Sequence, residues 1–144
     1  MSPDENWIND PSVGSVPRST QVCYVVTDIE TDGPAPGKHS MRSFASVAVD
    51  EAGRVFDQFE ASLAPLEGSI PNPSTLAWLQ SQPEVWADLS RNPRPPREVM
   101  VDWANWVRQL PHEPVFTSHP LVFDGYWIDW YMRTFLDLRL DRGP

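Results

Sequence analysis

Two carboxylates, Asp28 and Glu30, stand at the end of an apolar, β-branched run. In a strand this i, i+2 spacing puts both side chains on one face, about 6.6 Å apart at ~3.3 Å per residue. Their unequal lengths let them converge on divalent cations, and carboxylates suit hard ions such as Mg²⁺ or Mn²⁺. Two such ions about 3.5–4 Å apart stabilise both oxygens of a phosphoryl displacement. The pair predicts a metal site for that chemistry; the alternative is a strand that ends in solvated acids.

A third carboxylate, Asp124, follows a later predicted strand and stands near the start of a helix. If that strand lies parallel beside the first, Asp124 projects to the sheet end where Asp28 and Glu30 lie. Ligand sites in open α/β sheets gather at such strand ends. The alternative role for Asp124 is that of an ordinary helix N-cap, which aspartate fills well.

The order of the predicted elements indicates an α/β fold with a mixed sheet. The first strand reads as a central strand covered on both faces, because its apolar run is almost continuous. Strands are predicted at residues 22–28, 43–49, 54–62 and 115–118. Helices are predicted to open at Pro73, near Glu84, at Pro95 and near Asp124. This is a three-stranded antiparallel meander followed by a helical crossover to a parallel strand, with flanking helices.

The tryptophans favour a packed core over a base-stacking surface, because they recur at helical spacing. The four concerned are Trp103, Trp106, Trp127 and Trp130. Cys23, the one cysteine, lies inside an apolar run and is predicted to be a small buried hydrophobe.

Length, charge and composition limit the classes of protein to which this chain can belong. The 144 residues suit a single domain, preceded by a polar segment at residues 1–20 that reads as a flexible tail. A net charge of −9 is the wrong sign for a broad basic surface that holds duplex nucleic acid, and it leaves a metal-dependent phosphodiesterase open. No signal peptide, disulfide pair or membrane span of ~20 apolar residues is visible. We expect a cytoplasmic protein that does not bind membranes.

Two motifs resemble those of a known family. The pattern Asp-x-Glu-Thr at residues 28–31 is followed by His-x-x-x-Phe-Asp at residues 119–124. Together, in this order and strand context, they resemble the first and second motifs of the DEDD 3′→5′ exonucleases. That superfamily includes the proofreading exonuclease subunit of bacterial DNA polymerase III. The resemblance covers residues 22–137 and implies a ribonuclease H-like fold.

The resemblance also implies an activity and roles for six residues. Single-stranded DNA or RNA would be degraded from its 3′ end to nucleoside 5′-monophosphates, with two Mg²⁺ or Mn²⁺ ions in the complete site. The catalytic metal ligands would be Asp28, Glu30 and Asp124. The substrate contacts would be Thr31, His119 and Phe123.

The chain departs from the family pattern in two ways. Pro120 stands where the family usually has asparagine, and the fourth acid with its neighbouring His or Tyr general base is missing. Asp129 does not substitute, since it lies about 7.5 Å along the last helix and about 140° round from Asp124. Asp137 is about 20 Å along that helix. We therefore interpret residues 21–144 as an exonuclease-like domain that lacks its C-terminal part and has little activity.

Two other functions remain open at this point. One is a non-catalytic ribonuclease H-like module that binds nucleic acid or a protein partner, which the missing acid favours. The other is a phosphatase of the haloacid-dehalogenase type, although that family has aspartate at both positions of the first motif. Near the glycine–proline loop, Lys38, His39 and Arg42 are either phosphate contacts or, as we favour, parts of a solvated turn.

Overall fold

The computed structural model describes residues 21–140 as one mixed four-stranded sheet with four helices. The predicted tail at residues 1–20 and the last four residues lie outside the described part. The strands are β1 (Val22–Thr31), β2 (Met41–Val49), β3 (Val55–Ser62) and β4 (Glu113–Thr117). Their order in the sheet is β3-β2-β1-β4. β2 pairs antiparallel with both β1 and β3, and β4 pairs parallel with β1, which confirms the predicted fold class.

The helices begin close to the predicted positions. They are α1 (Pro73–Gln80), α2 (Pro83–Ser90), α3 (Pro96–Arg108) and α4 (Leu121–Leu136). The first three open with proline, whose missing N–H is not needed in a first turn. α4 starts three residues before Asp124, and its N-cap is Pro120. The N-cap alternative for Asp124 is therefore wrong. No helix among the described residues is long and apolar enough to cross a bilayer.

One face of the sheet carries the hydrophobic core. Val25 and Ile29 of β1 belong to the same buried cluster as side chains of α3 and α4. Trp103 of α3 is 1 % exposed and packs edge-on against Phe44 and Phe116, with ring centroids 6.1 and 6.5 Å apart. The other three helical tryptophans are buried or packed against the cluster, as predicted. Cys23 is fully buried, which confirms that prediction too.

The opposite face of the sheet is open in the described part of the chain. Val26 of β1 is 41 % exposed and Ala45 of β2 is also exposed. The prediction that β1 is covered on both faces is thus wrong for residues 21–140, because α3 and α4 both pack on the core face. Asp28 lies on this open face.

Candidate active site

Asp28 and Glu30 lie on the same face near the C-terminal end of β1. Their neighbours Thr27 and Ile29 point into the core, so strand alternation leaves the two acids on the open face. Asp28 is exposed and Glu30 is half-buried. This arrangement is the one predicted from the i, i+2 spacing.

Asp124 joins them from the neighbouring element. β4 ends at Thr117, whereas β1 continues to Thr31, so the β1 edge beyond β4 has no strand beside it. The first turn of α4 fills this place, and the Asp124 carboxylate accepts a hydrogen bond from the Ile29 backbone N–H. Asp124 is 4 % exposed.

The three carboxyl groups interact electrostatically. Burial raises the pKa of Glu30, and the charges of Asp28 and Asp124 raise it further. Burial also raises the pKa of Asp124 to about 6, with a further contribution from Asp28. The Ile29 N–H and His119 act in the opposite direction on Asp124. The strand, the parallel pairing and the helix start therefore bring the three predicted acids into one cluster of mutually repelling charge.

The donor set of this cluster fits a hard divalent cation. Carboxylates whose pKa values are raised by one another are stabilised in their charged form when a cation binds between them. Among residues 21–140, no three His, Cys, Asp or Glu side chains lie close enough to form a metal cage on their own. An ion bound here would take only part of its ligands from the carboxylates and the rest from water, as Mg²⁺ does in sites with few carboxylates.

Each predicted substrate contact either adjoins one of these acids in the sequence or acts on it electrostatically. The Thr31 hydroxyl, next to Glu30, donates a hydrogen bond of 2.9 Å to the Gly33 carbonyl. His119 is exposed and precedes a cis peptide bond to Pro120. Phe123 is 37 % exposed, and its ring centroid lies 6.1 Å from that of Trp127. Phe123 thus leaves part of its side chain exposed to solvent, directly before Asp124 in α4.

The loop after β1 is more buried than the sequence indicated. His39 is 4 % exposed and Arg42 is 9 % exposed, so the solvated-turn interpretation is wrong for both. Asp32 is fully buried, lies 3.7 Å from Arg42, and accepts a 2.7 Å hydrogen bond from the Ser40 N–H. A Cβ on Gly33 would clash with the His39 ring, so this tight turn requires glycine. The polar composition of the loop did not indicate this internal packing.

A groove leads away from the acids and was not predicted. It has a volume of about 350 Å³ and crosses the open face of β2 and β3 toward the end of α2. Besides Asp28 and Glu30, its charged lining residues are Glu60, Asp88 and Arg91. Only the strand register and the packing of α2 bring these distant residues together, and the sequence shows neither directly.

Comparison with known proteins finds a sequence relative. No protein-family model matches the chain. The 3′-5′ DNA exonuclease Cap18 of Escherichia coli is 28 % identical over 123 residues, a match that covers 83 % of this chain and 62 % of that protein. The chain thus spans somewhat less than two thirds of the length of this relative.

Solved structures of E. coli exonuclease I share the fold. The complex with a dA16 oligonucleotide superposes with a TM-score of 0.64 at 14 % identity, covering 78 % of this chain and 24 % of exonuclease I. A zinc-bound exonuclease I–ssDNA complex gives the same TM-score, identity and coverage of this chain, with 23 % of exonuclease I covered. The observed sheet, the Cap18 similarity and this likeness confirm the resemblance to DEDD-type 3′→5′ exonucleases with a ribonuclease H-like fold.

Proposed function

We propose that this chain is the metal-dependent domain of a 3′→5′ exonuclease that removes nucleoside 5′-monophosphates from single-stranded DNA. The observation that carries the proposal is the meeting of Asp28, Glu30 and Asp124 at one sheet edge, where burial and mutual repulsion raise two of their pKa values. The similarity to a 3′-5′ DNA exonuclease supports DNA as the substrate.

The three acids would hold Mg²⁺ or Mn²⁺. When bound, such ions would activate a water molecule for attack and would stabilise the charge on the phosphate and the leaving oxygen. The chain itself must present Asp124 and Glu30 deprotonated, and the Ile29 N–H holds the Asp124 carboxylate in a fixed direction. Since Asp124 has a pKa of about 6, it is largely charged at neutral pH.

The surrounding residues would bind the terminal nucleotide. The partly exposed ring of Phe123 offers a stacking surface for a base, which is the usual way proteins hold single strands without sequence preference. His119 is exposed beside Asp124 and can donate to a phosphate oxygen. The Thr31 hydroxyl oxygen keeps an acceptor lone pair while it donates to Gly33.

We further propose that the 144-residue chain is a slow enzyme. The resemblance implies a fourth acid and an adjacent general base, and the nearby acids of α4 are engaged elsewhere. Asp129 lies 2.6 Å from Arg133 and accepts a 2.8 Å hydrogen bond from the Leu140 N–H. Asp137 is exposed at the end of the helix. Neither reaches the acidic cluster.

The test is product analysis on a 5′-labelled single-stranded DNA with Mn²⁺ and excess protein. We expect slow shortening from the 3′ end, release of deoxynucleoside 5′-monophosphates, and no shortening with Asp28→Ala. Shortening of an RNA oligonucleotide alone would overturn the choice of DNA. Cleavage that persists in Asp28→Ala would rule out this site.

The second candidate is a non-catalytic module that binds nucleic acid or a partner. It is favoured by the lack of a metal cage among residues 21–140. Binding of the labelled DNA without cleavage at any protein excess would support it. The phosphatase alternative loses support, because the observed fold is that of an exonuclease.

A further inference from the structure

The groove beside the acids crosses three strands of the sheet on its open face. Glu30 pairs with Ser43, and Ser43 pairs with Ser62, so these three side chains form a row across β1, β2 and β3. At about 4.8 Å per strand spacing, the row spans about 9.6 Å. It ends where Asp88 and Arg91 complete the lining of the groove. The groove therefore has a direction, from the acidic cluster to the end of α2.

The charges along this groove are uneven. Four of its lining residues are carboxylates and one is a cation: Asp28, Glu30, Glu60, Asp88 and Arg91. A polyanion that enters from the cluster would meet repulsion from Glu60 and Asp88 unless a positive group compensates. Within the groove lining, Arg91 is the residue that supplies positive charge.

Arg91 is held at the groove by the structure around it. It is the C-cap residue of α2, in an extended backbone conformation. The Ser62 hydroxyl donates a 2.6 Å hydrogen bond to the Asp88 carbonyl, which fastens the end of α2 to the end of β3. The backbone of Arg91 is therefore fixed relative to the row of side chains that starts at Glu30.

The guanidinium group itself remains available. Its Nη2 lies 3.6 Å from Asp88 Oδ1, and the two side chains are 74 % and 72 % exposed. Such exposed pairs contribute little free energy, so Arg91 can exchange Asp88 for a phosphate. The planar fork of arginine matches the geometry of phosphate oxygens.

We propose that Arg91 binds a backbone phosphate of the single strand upstream of its 3′ terminal nucleotide, and that the groove is the path of that strand. The inference rests on the proposed function and adds a substrate-binding residue outside the two motifs. It predicts that longer strands gain affinity from Arg91 and that a single nucleotide does not.

The test measures anisotropy of a fluorescein-labelled oligothymidylate with Mn²⁺, its 3′-terminal linkages being phosphorothioates that resist cleavage. We expect Arg91→Ala to weaken binding about tenfold, as loss of a charge-assisted hydrogen bond does. The slope of affinity against salt should fall by about one. Arg91→Lys should recover part of the affinity. Thymidine 5′-monophosphate, as competitor, should bind wild type and Arg91→Ala equally.

Arg54→Ala is the matched control. Arg54 is 83 % exposed, pairs with Asp50 at 3.0 Å, and lies in the β2–β3 turn outside the groove. Arg54→Ala removes the same unit of charge as Arg91→Ala. An equal loss of oligonucleotide affinity in the two variants would therefore overturn the proposal. So would an equal loss of mononucleotide and oligonucleotide affinity in Arg91→Ala. If wild-type protein binds no oligonucleotide, the proposed function is overturned as well. If Arg91→Ala binds the oligonucleotide as tightly as wild type, only the proposed strand path along the groove is overturned.

Discussion

At the scale of single residues, the site is defined by three carboxyl groups in an unfavourable arrangement. Glu30 is half-buried and Asp124 is buried, and each is close enough to Asp28 for its pKa to respond. Two hydrogen-bonding and charged groups, the Ile29 N–H and His119, offset only part of this cost at Asp124. A protein core does not need such a cluster, whereas a cation site does.

Removing one acid should abolish metal binding. We expect weak, measurable binding of Mn²⁺ to wild type by calorimetry and none to Asp28→Ala or Glu30→Gln, because few carboxylates hold the ion. Glu51→Gln is the control, since Glu51 is exposed in the β2–β3 turn. If Asp28→Ala and Glu51→Gln bind Mn²⁺ equally, the metal lies elsewhere.

The pH dependence of stability should report on Asp124. Its pKa is about 6 in the folded chain against an ordinary 3.8, so the folded state binds this proton more tightly. Stability from this group is present at low pH and is lost as pH rises between about 4 and 6. We expect the free energy of unfolding of metal-free wild type, relative to Asp124→Asn, to fall across that window.

A second carboxyl provides the opposite reference for this measurement. The Arg54 backbone N–H holds the pKa of Asp50 below its usual range. The stability contributed by Asp50 is therefore lost only as pH falls below its ordinary value. The free energy of unfolding of wild type relative to Asp50→Asn should not fall between about pH 4 and pH 6. If the free energy of unfolding of wild type relative to Asp124→Asn also stays constant across this window, the pKa of Asp124 is not raised.

At the scale of elements, β1 is held in place by a buried hydroxyl pair and a tryptophan. Thr27, directly before Asp28, makes a 2.7 Å hydrogen bond with Ser46 of β2. The Trp103 indole N–H of α3 donates to the same Ser46 hydroxyl at 3.0 Å. α3 therefore supports β1 from the core face while Asp28 remains on the open face.

Trp103→Ala should be the costly change in this region. Truncating a buried tryptophan costs about 3–5 kcal/mol, and here it also removes a hydrogen-bond donor to Ser46. Trp78→Ala should change the free energy of unfolding by no more than about 0.5 kcal/mol, because Trp78 is 54 % exposed. Asp28→Asn should be neutral or stabilising without metal. Urea denaturation with a chelator compares the free energy of unfolding of all three variants. A loss of stability in Asp28→Asn as large as that in Trp103→Ala would contradict the assignment of Trp103 to the core and of Asp28 to a metal site.

The sequence predicts elements better than it predicts what covers them. Strand alternation and helical spacing are local, so the positions of Asp28, Glu30 and Trp103 follow from them. Burial of Asp32 depends on how the loop after β1 folds back toward Arg42 at the start of β2, and the polar composition of the loop does not indicate this. The apolar run of β1 indicated two covered faces, and the structure shows one face of this central strand open in the part it describes.

At the scale of the whole molecule, the acidic cluster lies at the open face of the sheet. Val26 is exposed on the same face as Asp28, and the groove toward Arg91 lies on it as well. On the proposed function, substrate would reach the acids from the side of the sheet that α3 and α4 leave free. Because the net charge is −9, DNA bound in the proposed way would need positive charge from metal ions or Arg91 to offset the negative field at the groove.

The rate of cleavage should depend on sequence beyond the acids described. The match to Cap18 spans 62 % of that protein, and proton transfer by a positioned general base typically contributes ~10²–10⁴-fold to a rate. Where the parent reading frame continues past residue 144, we expect the extended chain to degrade single-stranded DNA faster than the 144-residue chain by about that factor. Asp28→Ala should abolish cleavage in both, which separates the site from a contaminating nuclease. Equal rates would place a complete set of ligands within the present chain, and an extended chain that binds DNA without cutting it would favour the binding module.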